Sequence, residues 1–380
     1  MGNINVGIDL GGSHVAIGIV NNEGKILEQF EKDFTMKEKE NIMPVAVRYI
    51  VDTIRELKQK YDLLEFGLGM AGAIENGVIL RSVNLGVQNY DIKTELESKT
   101  GLSVHIKNDA KCAALAEYDY GDIKQFNNII FLTLGTGIGG AFIYHGTLMQ
   151  SDCAEGYELG HMIIKKDGLI CRCGKKGCFE TYGGILAFKR KVIDRLDLSH
   201  DTPGPELRRI MDNSIDKISD IIEEYIEDLA IGISNLINIF EPDCIVIGGG
   251  FARYDYMLLD KLKHKLVDSN LLFNRRENIE IRVAKFGNDA GIIGASKLWF
   301  DILKAIQYRE IFSYIELLFK EEKEGDFWRY NSQPTKWKAP KIEGINSDIL
   351  SILGDFYSLI PDNISFKVYG FPKTNFSNAL

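Results

Sequence analysis

The amino-acid sequence predicts an α/β protein built from two lobes of similar architecture. Residues 3–31 alternate apolar and polar side chains, turn at Gly11–Gly12, and continue as two further strands around the turn "NNEG". The same order of strand, glycine-rich turn, strand, short polar turn and strand recurs in residues 127–149. Because an arrangement that occurs twice indicates two copies of one structural unit, we expect one such unit at the start of each lobe.

Helices and further strands follow each of these units. Apolar residues recur at helical spacing from Glu38 to Tyr61, which predicts an amphipathic helix. Glycines close the next elements, as Gly101 does after "KTELESKT". The remaining predicted elements are a strand at 64–70, a helix at 93–100, a strand at 102–108, a helix at 110–120, a helical region up to residue 240, a strand at 244–248, and a strand, loop and final helix over 278–300.

The length of 380 residues suits two domains or more. We predict an N-terminal lobe over residues 1–117 and a C-terminal lobe over residues 118–300, with a closing helix near 289–300 that joins the N-terminal lobe. Residues 301–380 contain two of the three tryptophans and are predicted to be an appended segment. Extra packing or an oligomer contact is the first interpretation of that segment, and a specificity lid is the second.

Composition excludes several function classes. Hydrophobic residues make up 45% of the chain, which is enough for a large core, and the net charge of −9 argues against attraction to nucleic acid or to anionic membranes. No apolar run is long enough to span a membrane, and the N-terminal residues enter a strand pattern without a signal-peptide order. We therefore expect a cytoplasmic protein with no nucleic-acid or membrane partner.

Three of the six cysteines are clustered in "HMIIKKDGLICRCGKKGCFE". A Cys3His set of ligands suits a closed, tetrahedral structural zinc site. A redox pair is the competing interpretation, but "CRC" lacks the C-x-x-C spacing of thioredoxin-like sites. We favour zinc, bound by His161, Cys171, Cys173 and Cys178.

Three strands end in glycine turns, namely "DLGGSH", "LGTGIGG" and "IGGGFA". Glycine lets backbone N–H groups approach an anion closely, but for each turn taken alone a tight hairpin is the favoured explanation. "GTGIGG" matches the dinucleotide glycine pattern, yet a strand pattern follows it where the Rossmann fingerprint requires a helix. A hairpin-type phosphate clamp remains.

At this point the motifs resemble a known family. "DLGGSHVAIGIV" and "LGTGIGGAFI" resemble the two phosphate motifs of the sugar-kinase, Hsp70 and actin superfamily, and "IVIGGGFA" resembles its adenosine motif. The "ExGH" stretch with "CRCGKKGCFE" resembles the ROK family of bacterial sugar kinases and sugar-responsive repressors, as do "NDAKCAALAE" and "GNDAGIIGAS". The resemblance implies a two-lobed, actin-like ATPase fold of the ribonuclease H-like type, with a cleft between the lobes.

The resemblance also implies which residues bind ATP and Mg²⁺. Asp9 is expected to orient the Mg²⁺ that the nucleotide phosphates carry, directly or through water. The ATP-binding residues are expected to be Asp9, Gly11, Gly12, Ser13, Gly135, Thr136, Gly137, Gly249 and Gly250.

Asp109 is the candidate catalytic base. It follows a predicted strand and opens a helix, so from residue preference alone it is as readily a helix N-cap. In the family, the matching aspartate receives the proton of the sugar hydroxyl. Further sugar contacts carried over from the family are Gly72, Asn84, Asn108, Glu158, His161 and Glu180.

The function implied is ATP-dependent phosphorylation of a hexose or N-acetylhexosamine hydroxyl, commonly at C6, as in a glucokinase. Lys111 and Val87 depart from the family pattern on the sugar side, which puts the identity of the sugar in doubt. The alternatives are a sugar-sensing transcriptional regulator and a sugar-binding protein without catalysis. A regulator of this family carries a helix-turn-helix before the first phosphate motif, for which we expect no room ahead of Asp9. A homodimer is expected by resemblance.

Overall fold

The structure is a computed structural model that describes residues 4–149, 157–268, 271–273 and 279–298. Its strands are β1 (Ile4–Leu10), β2 (His14–Asn21), β3 (Ile26–Asp33), β4 (Glu65–Met70), β5 (Ala73–Glu75), β6 (Val78–Ser82), β7 (Val87–Asp91), β8 (Ser103–Asn108), β9 (Asn128–Leu134), β10 (Ile138–Tyr144), β11 (Thr147–Leu148), β12 (Cys244–Gly249) and β13 (Glu280–Val283). Its α-helices are α1 (Ile42–Lys60), α2 (Ile92–Thr100), α3 (Asp109–Tyr120), α4 (Phe179–Gly183), α5 (Ile185–Arg195), α6 (Gly204–Asp212), α7 (Ile215–Phe240), α8 (Asp255–Asp268) and α9 (Ala290–Ala295).

Two five-stranded sheets repeat one topology. The first has the order β3-β2-β1-β4-β8 and the second has the order β11-β10-β9-β12-β13. In both, the three strands of the opening unit pair antiparallel, and the next two strands add in parallel. The predicted duplication is therefore confirmed, and the two sheets form the two lobes.

Apolar cores cover the sheets. Helix α1 buries Met43, Val47, Ile50 and Ile54 against the first sheet, which contributes residues such as Ile8 and Phe66. Helix α7 covers one face of the second sheet with residues that include Ile226, Leu229 and Ile233. Burying a large apolar side chain contributes about 1.5–3 kcal/mol, so these two cores supply most of the stabilisation of each lobe.

Helices α3 and α9 connect the two lobes. Their buried residues share one core with the second sheet, and α9 also packs on β1 and β4 of the first. The two helices approach at Gly294, where a Cβ would lie 1.7 Å from the carbonyl oxygen of Cys112. Only glycine permits this approach, so α9 rests directly on the backbone of α3.

Local structure departs from the predicted boundaries in three places. The predicted helix from Glu38 begins as the short 3₁₀ helix Glu38–Glu40, and α1 starts afterwards at Ile42. Pro44 lies in the first turn of α1. A backbone N–H has no hydrogen-bond partner within the helix at this position, so proline is tolerated there. The region after the cysteines contains four helices, and β5, β6 and β7 form a small antiparallel sheet that the sequence patterns did not predict.

The predicted appended segment 301–380 lies outside the described residues. The lobe boundaries at 117 and 118 remain predictions. Within the part of the chain that is described, none of the helices combines the length and the apolar character that crossing a membrane requires.

Candidate functional site

The first half of the site is one edge of the first sheet. Strands β1, β4 and β8 run parallel, and their register places Leu10, Met70 and Asn108 side by side at their ends. Because parallel strands present their carboxyl ends at the same edge, Gly11 and Asp109 leave the sheet at one edge, with the end of β4 between them. The first glycine turn and the candidate base are therefore brought together by strand pairing.

Two carboxylates share this edge. Burial, and after it the nearby charge of Asp109, raises the pKa of Asp9 to about 7. Burial likewise raises the pKa of Asp109, although its Oδ1 accepts a hydrogen bond from the amide of Ala110 at 2.8 Å. Two desolvated acids at close quarters are the arrangement that favours a bound cation or a proton taken from a substrate hydroxyl.

Other predicted sugar-side residues meet at the same edge. Asn108 caps α3, where its Oδ1 accepts the amide of Ala110 at 3.0 Å, and its Nδ2 donates to the carbonyl of Gly72 at 3.4 Å. Asn84 follows β6, and a Cβ on Gly12 would lie 2.8 Å from the carbonyl oxygen of Asn84. The small sheet thus holds Asn84 against the first glycine turn.

The second half of the site is the matching edge of the second sheet. The register of β9 and β12 pairs Leu134 with Gly249, so the glycine turns that follow them lie next to each other. Gly135 donates its amide to the carbonyl of Gly137 at 2.9 Å, which closes the turn and leaves Thr136 exposed at its tip. Helix α5 begins against both turns, because the amide of Leu186 donates to the carbonyl of Gly135 at 3.3 Å and a Cβ on Gly250 would lie 2.7 Å from Cγ2 of Ile185.

The start of β10 brings the two halves into contact. A Cβ on Gly139 would lie 2.9 Å from the Cβ of Ala110, the residue after Asp109. Gly139 therefore touches α3, the helix that begins with Asp109. Only Ile138 separates Gly139 from the second glycine turn. This contact joins the predicted phosphate-binding and base-carrying segments into one site.

Glu180 also reaches the start of β10. Its Oε2 accepts a hydrogen bond from the amide of Ile138 at 3.3 Å, and its Oε1 lies 3.3 Å from the Sγ of Cys171. A Cβ on Gly137 would lie 2.0 Å from the same Oε2, so a side chain at this position would displace the carboxylate. Glu180 thus lies between the second glycine turn and the cysteines.

The cysteine loop, residues 161–178, gathers its four predicted ligands. His161 Nδ1 lies 3.6 Å from Cys171 Sγ, and Cys173 Sγ lies 3.6 Å from Cys178 Sγ. All four ligand atoms lie within 4.8 Å of one another. In a tetrahedral zinc site with Zn–S bonds of about 2.3 Å, two sulfurs lie about 3.8 Å apart, so the residues fit zinc.

A second anchor holds the cysteine loop. Lys165 pairs with the buried Asp228 of α7 at 2.7 Å and lies 4.5 Å above the ring of Tyr182. The Tyr182 hydroxyl accepts the amide of Leu169 at 2.6 Å. Sequence analysis did not single out these residues, because Asp228 stands beside Glu227 in an otherwise ordinary helix and nothing local marks it as buried.

The remaining predicted residues lie around these contacts. Glu158 is exposed and precedes the 3₁₀ helix Leu159–His161, where its carbonyl accepts the amide of His161 at 3.0 Å. Val87 begins β7, and the amide of Lys111 donates to Asn108 at 3.4 Å. Sequence analysis also passed over His14, whose Nδ1 lies 3.0 Å from the hydroxyl of Ser13.

Comparison with known proteins agrees with this geometry. The glucokinase of Thermotoga maritima is 32% identical over 308 residues, which cover 77% of this chain and 96% of that protein. The xylose repressor of Caldicellulosiruptor bescii is 28% identical and is matched over 76% of its length. The crystal structure of a ROK family glucokinase from Streptomyces griseus, in complex with glucose and AMPPNP, superposes with a TM-score of 0.66 at 27% identity and covers 78% of this chain and 99% of that one.

The family model of the ROK family matches residues 5–302, and the two-lobed actin-like fold of its solved members is the fold described above. The chain belongs to the ROK family.

Proposed function

We propose that the protein is an ATP-dependent sugar kinase that phosphorylates a hydroxyl, commonly the C6 hydroxyl, of a hexose or N-acetylhexosamine. The observation that carries the proposal is the placement of Asp9 and Asp109 at one sheet edge, each with a raised pKa. Phosphoryl transfer requires positioning, charge neutralisation and a group that accepts the hydroxyl proton. At this edge one carboxylate would hold the Mg²⁺ that neutralises phosphate charge, and the other would accept the hydroxyl proton.

Asp109 is assigned the role of base. As the oxygen of the sugar hydroxyl forms its bond to the γ-phosphorus and the bond to ADP breaks, the proton moves to the carboxylate of Asp109. A raised pKa makes this carboxylate a stronger base than a solvated aspartate. Asn108 caps the N-terminus of α3, and this cap holds Asp109 at the sheet edge.

Asp9 would hold Mg²⁺, directly or through water, and the ion would neutralise phosphate charge when bound. The three glycine turns would hold the nucleotide through their backbone amides, with Gly11, Gly12 and Ser13 in the first turn, Gly135, Thr136 and Gly137 in the second, and Gly249 and Gly250 in the third. These assignments are supported by the adjacency of the second and third turns.

Zinc would have a structural role, because four protein ligands leave no open position for a substrate. The cysteine loop would position Glu158, His161 and Glu180 for the sugar, with Asn84, Asn108 and Gly72 on the other side. Carboxylates and amides suit a polyol, since they form paired hydrogen bonds with neighbouring hydroxyls. The contact of Glu180 with both Cys171 and Ile138 supports this role for the loop.

The test is coupled ADP release with Mg-ATP across a panel of hexoses and N-acetylhexosamines. We expect turnover on at least one sugar and a loss of about 100-fold or more in kcat for Asp109→Asn, which removes the base and keeps the volume. Asp122→Asn, an exposed aspartate, is the control. Full turnover by Asp109→Asn would exclude Asp109 as the base.

A sugar-responsive regulator is the second candidate, because a xylose repressor is among the relatives. A salt-sensitive shift of duplex DNA by the purified protein, relieved by a sugar, would establish it. Two further expectations go with the kinase assignment, namely a cytoplasmic location and a homodimer. Sedimentation of the purified protein measures its oligomeric state.

A further inference from the structure

Ser13 and His14 form a side-chain pair at the first glycine turn. The Ser13 hydroxyl oxygen lies 3.0 Å from His14 Nδ1. On the far side of the imidazole, Nε2 lies 4.0 Å from Oε1 of Glu31 on β3. The histidine therefore connects a carboxylate to the one hydroxyl of the turn "DLGGSH".

Three carboxylates lie on the face of the sheet that carries His14. Strand register pairs His14 with Asp33 and pairs Ala16 with both Glu31 and Asp9, so these carboxylates share the face of the sheet that carries His14. Lys32 points to the other face and pairs with Glu38 at 3.0 Å. Helix α9, which packs on β1 and β2, contains no charged residue.

The hydrogen-bond chemistry of the pair depends on that proton. In a neutral imidazole the carboxylate of Glu31 favours the proton on Nε2, so Nδ1 accepts and the Ser13 hydroxyl donates to it. A phosphate oxygen that arrives at Ser13 needs the same O–H. When the imidazole carries both protons, Nδ1–H donates to the Ser13 oxygen, and the Ser13 O–H is available to the phosphate.

We propose that His14 is a positioning residue for the nucleotide: it directs the Ser13 hydroxyl toward a phosphate oxygen of ATP and takes up a proton from solvent as Mg-ATP binds. The inference rests on the proposed function, since it assigns the first turn to ATP phosphates. The bound phosphate gains one oriented O–H donor and one nearby positive charge. Hydrogen bonds that involve a charged group are about twice as strong as neutral ones.

His14 and Asp9 then affect the pH dependence of nucleotide binding in opposite directions. Asp9 must be ionised to hold Mg²⁺, so its protonation weakens binding as the pH falls. His14 must be protonated to orient Ser13, so its deprotonation weakens binding as the pH rises. Replacement of His14 by glutamine should remove only the alkaline part of the profile.

The experiment is calorimetric titration of Mg-ATP into the full chain without sugar, in buffers of different ionisation enthalpy, between about pH 6 and about pH 8.5. We expect the wild type to take up more protons per nucleotide than His14→Gln, and we expect His14→Gln to bind about tenfold more weakly near pH 7. His200→Gln is the matched control, because His200 is 66% exposed and also faces a carboxylate, Asp194 at 3.3 Å. This control should match the wild type.

A double-mutant cycle with Ser13→Ala tests whether His14 acts through Ser13. In the Ser13→Ala background, His14→Gln should weaken binding clearly less than it does in the wild type, because only the contribution of the nearby positive charge is then left to lose. Equal proton uptake by wild type and His14→Gln, with equal affinities, would overturn the inference and leave the kinase proposal standing. If the wild type binds no Mg-ATP, both proposals fail; if it binds Mg-ATP but phosphorylates no sugar, only the sugar assignment fails.

Discussion

The Glu180 carboxylate accepts a hydrogen bond from the amide of Ile138 at 3.3 Å, although the two residues are far apart in the chain and lie on different elements. Glu180 stands in the first turn of α4, directly after the last ligand of the cysteine loop, and Ile138 begins β10 directly after the second glycine turn. The proposed sugar-binding and phosphate-binding segments are therefore connected by one side chain. Changes at Glu180 should be felt by both substrates.

Glu180→Gln and Glu180→Ala should have different effects. Glutamine retains a carbonyl oxygen for the Ile138 amide but loses the charge, so we expect the KM for the sugar to rise about tenfold with a small change in the KM for ATP. Alanine removes both, and both KM values should rise. Steady-state kinetics with each substrate varied provides the measurement, and Glu224→Gln, a surface residue of α7 paired with Lys191, is the control. Identical behaviour of the two Glu180 variants would contradict the proposed link.

Removal of one cysteine ligand should release zinc. We expect one zinc per chain by elemental analysis in the wild type and none in Cys178→Ser, with a melting temperature lower by about 5 °C or more, because metal binding is coupled to folding. Cys112→Ala is the matched control, since both cysteines are completely buried but Cys112 lies in α3, away from the cysteine loop. A zinc content that Cys178→Ser leaves unchanged would remove Cys178 from the site.

Asp9→Asn should abolish activity and stabilise the protein at alkaline pH. The folded-state pKa of Asp9, about 7, lies above its unfolded value. The folded state therefore binds a proton at Asp9 more tightly than the unfolded state does. The stability that this proton contributes is fully present below the unfolded pKa and is lost as the pH rises through about 7. Asparagine carries no charge at any pH. Thermal melts without nucleotide should show Asp9→Asn more stable than the wild type near about pH 8 and little different near about pH 4. A lower melting temperature at the alkaline pH would show that Asp9 is stabilised in its ionised form.

Gly135→Ala should separate ligand binding from folding. No heavy atom of the described residues beyond its chain neighbours lies within 4 Å of a Cβ placed on Gly135, and its φ lies outside the left-handed region. The fold itself therefore tolerates alanine, and we expect a melting temperature within about 1 °C of the wild type. A phosphate bound against the backbone would meet the new methyl group, so the KM for ATP should rise about tenfold. Gly204→Ala, which is equally unobstructed at the start of α6, should leave both quantities unchanged.

Most of the fold could be predicted from local sequence patterns. Strand β1, its glycine turn and β2 follow from alternation and from glycine placement, and the strand after "GTGIGG" correctly excluded a dinucleotide fold. The small sheet β5-β6-β7 was missed because its strands have three to five residues and little alternation. Its stability comes from packing on the first lobe, which local propensity does not record.

The family and the candidate metal ligands could also be predicted from the sequence, because both are marked by short motifs with characteristic spacing. His161 and the three cysteines are close in the chain, and a short loop can bring them together with few long-range contacts. The structure agrees with that set. The pairing of Lys165 with Asp228 could not be predicted from the sequence. The two residues are far apart in the chain, and each looks like an ordinary surface charge in its local sequence.

The sequence by itself determined the α/β class, the duplicated strand units, the candidate set of metal ligands and the family, because each depends on periodicity or on a short motif. Tertiary structure alone decided which of these motifs meet. Parallel pairing of β1, β4 and β8 placed Asp9 and Asp109 at one sheet edge, where burial raises both pKa values, and the close approach of Gly139 to Ala110 joined the two lobes at the site. The physical reason is that burial, charge coupling and backbone contact depend on the distance in space between residues that are remote in the chain.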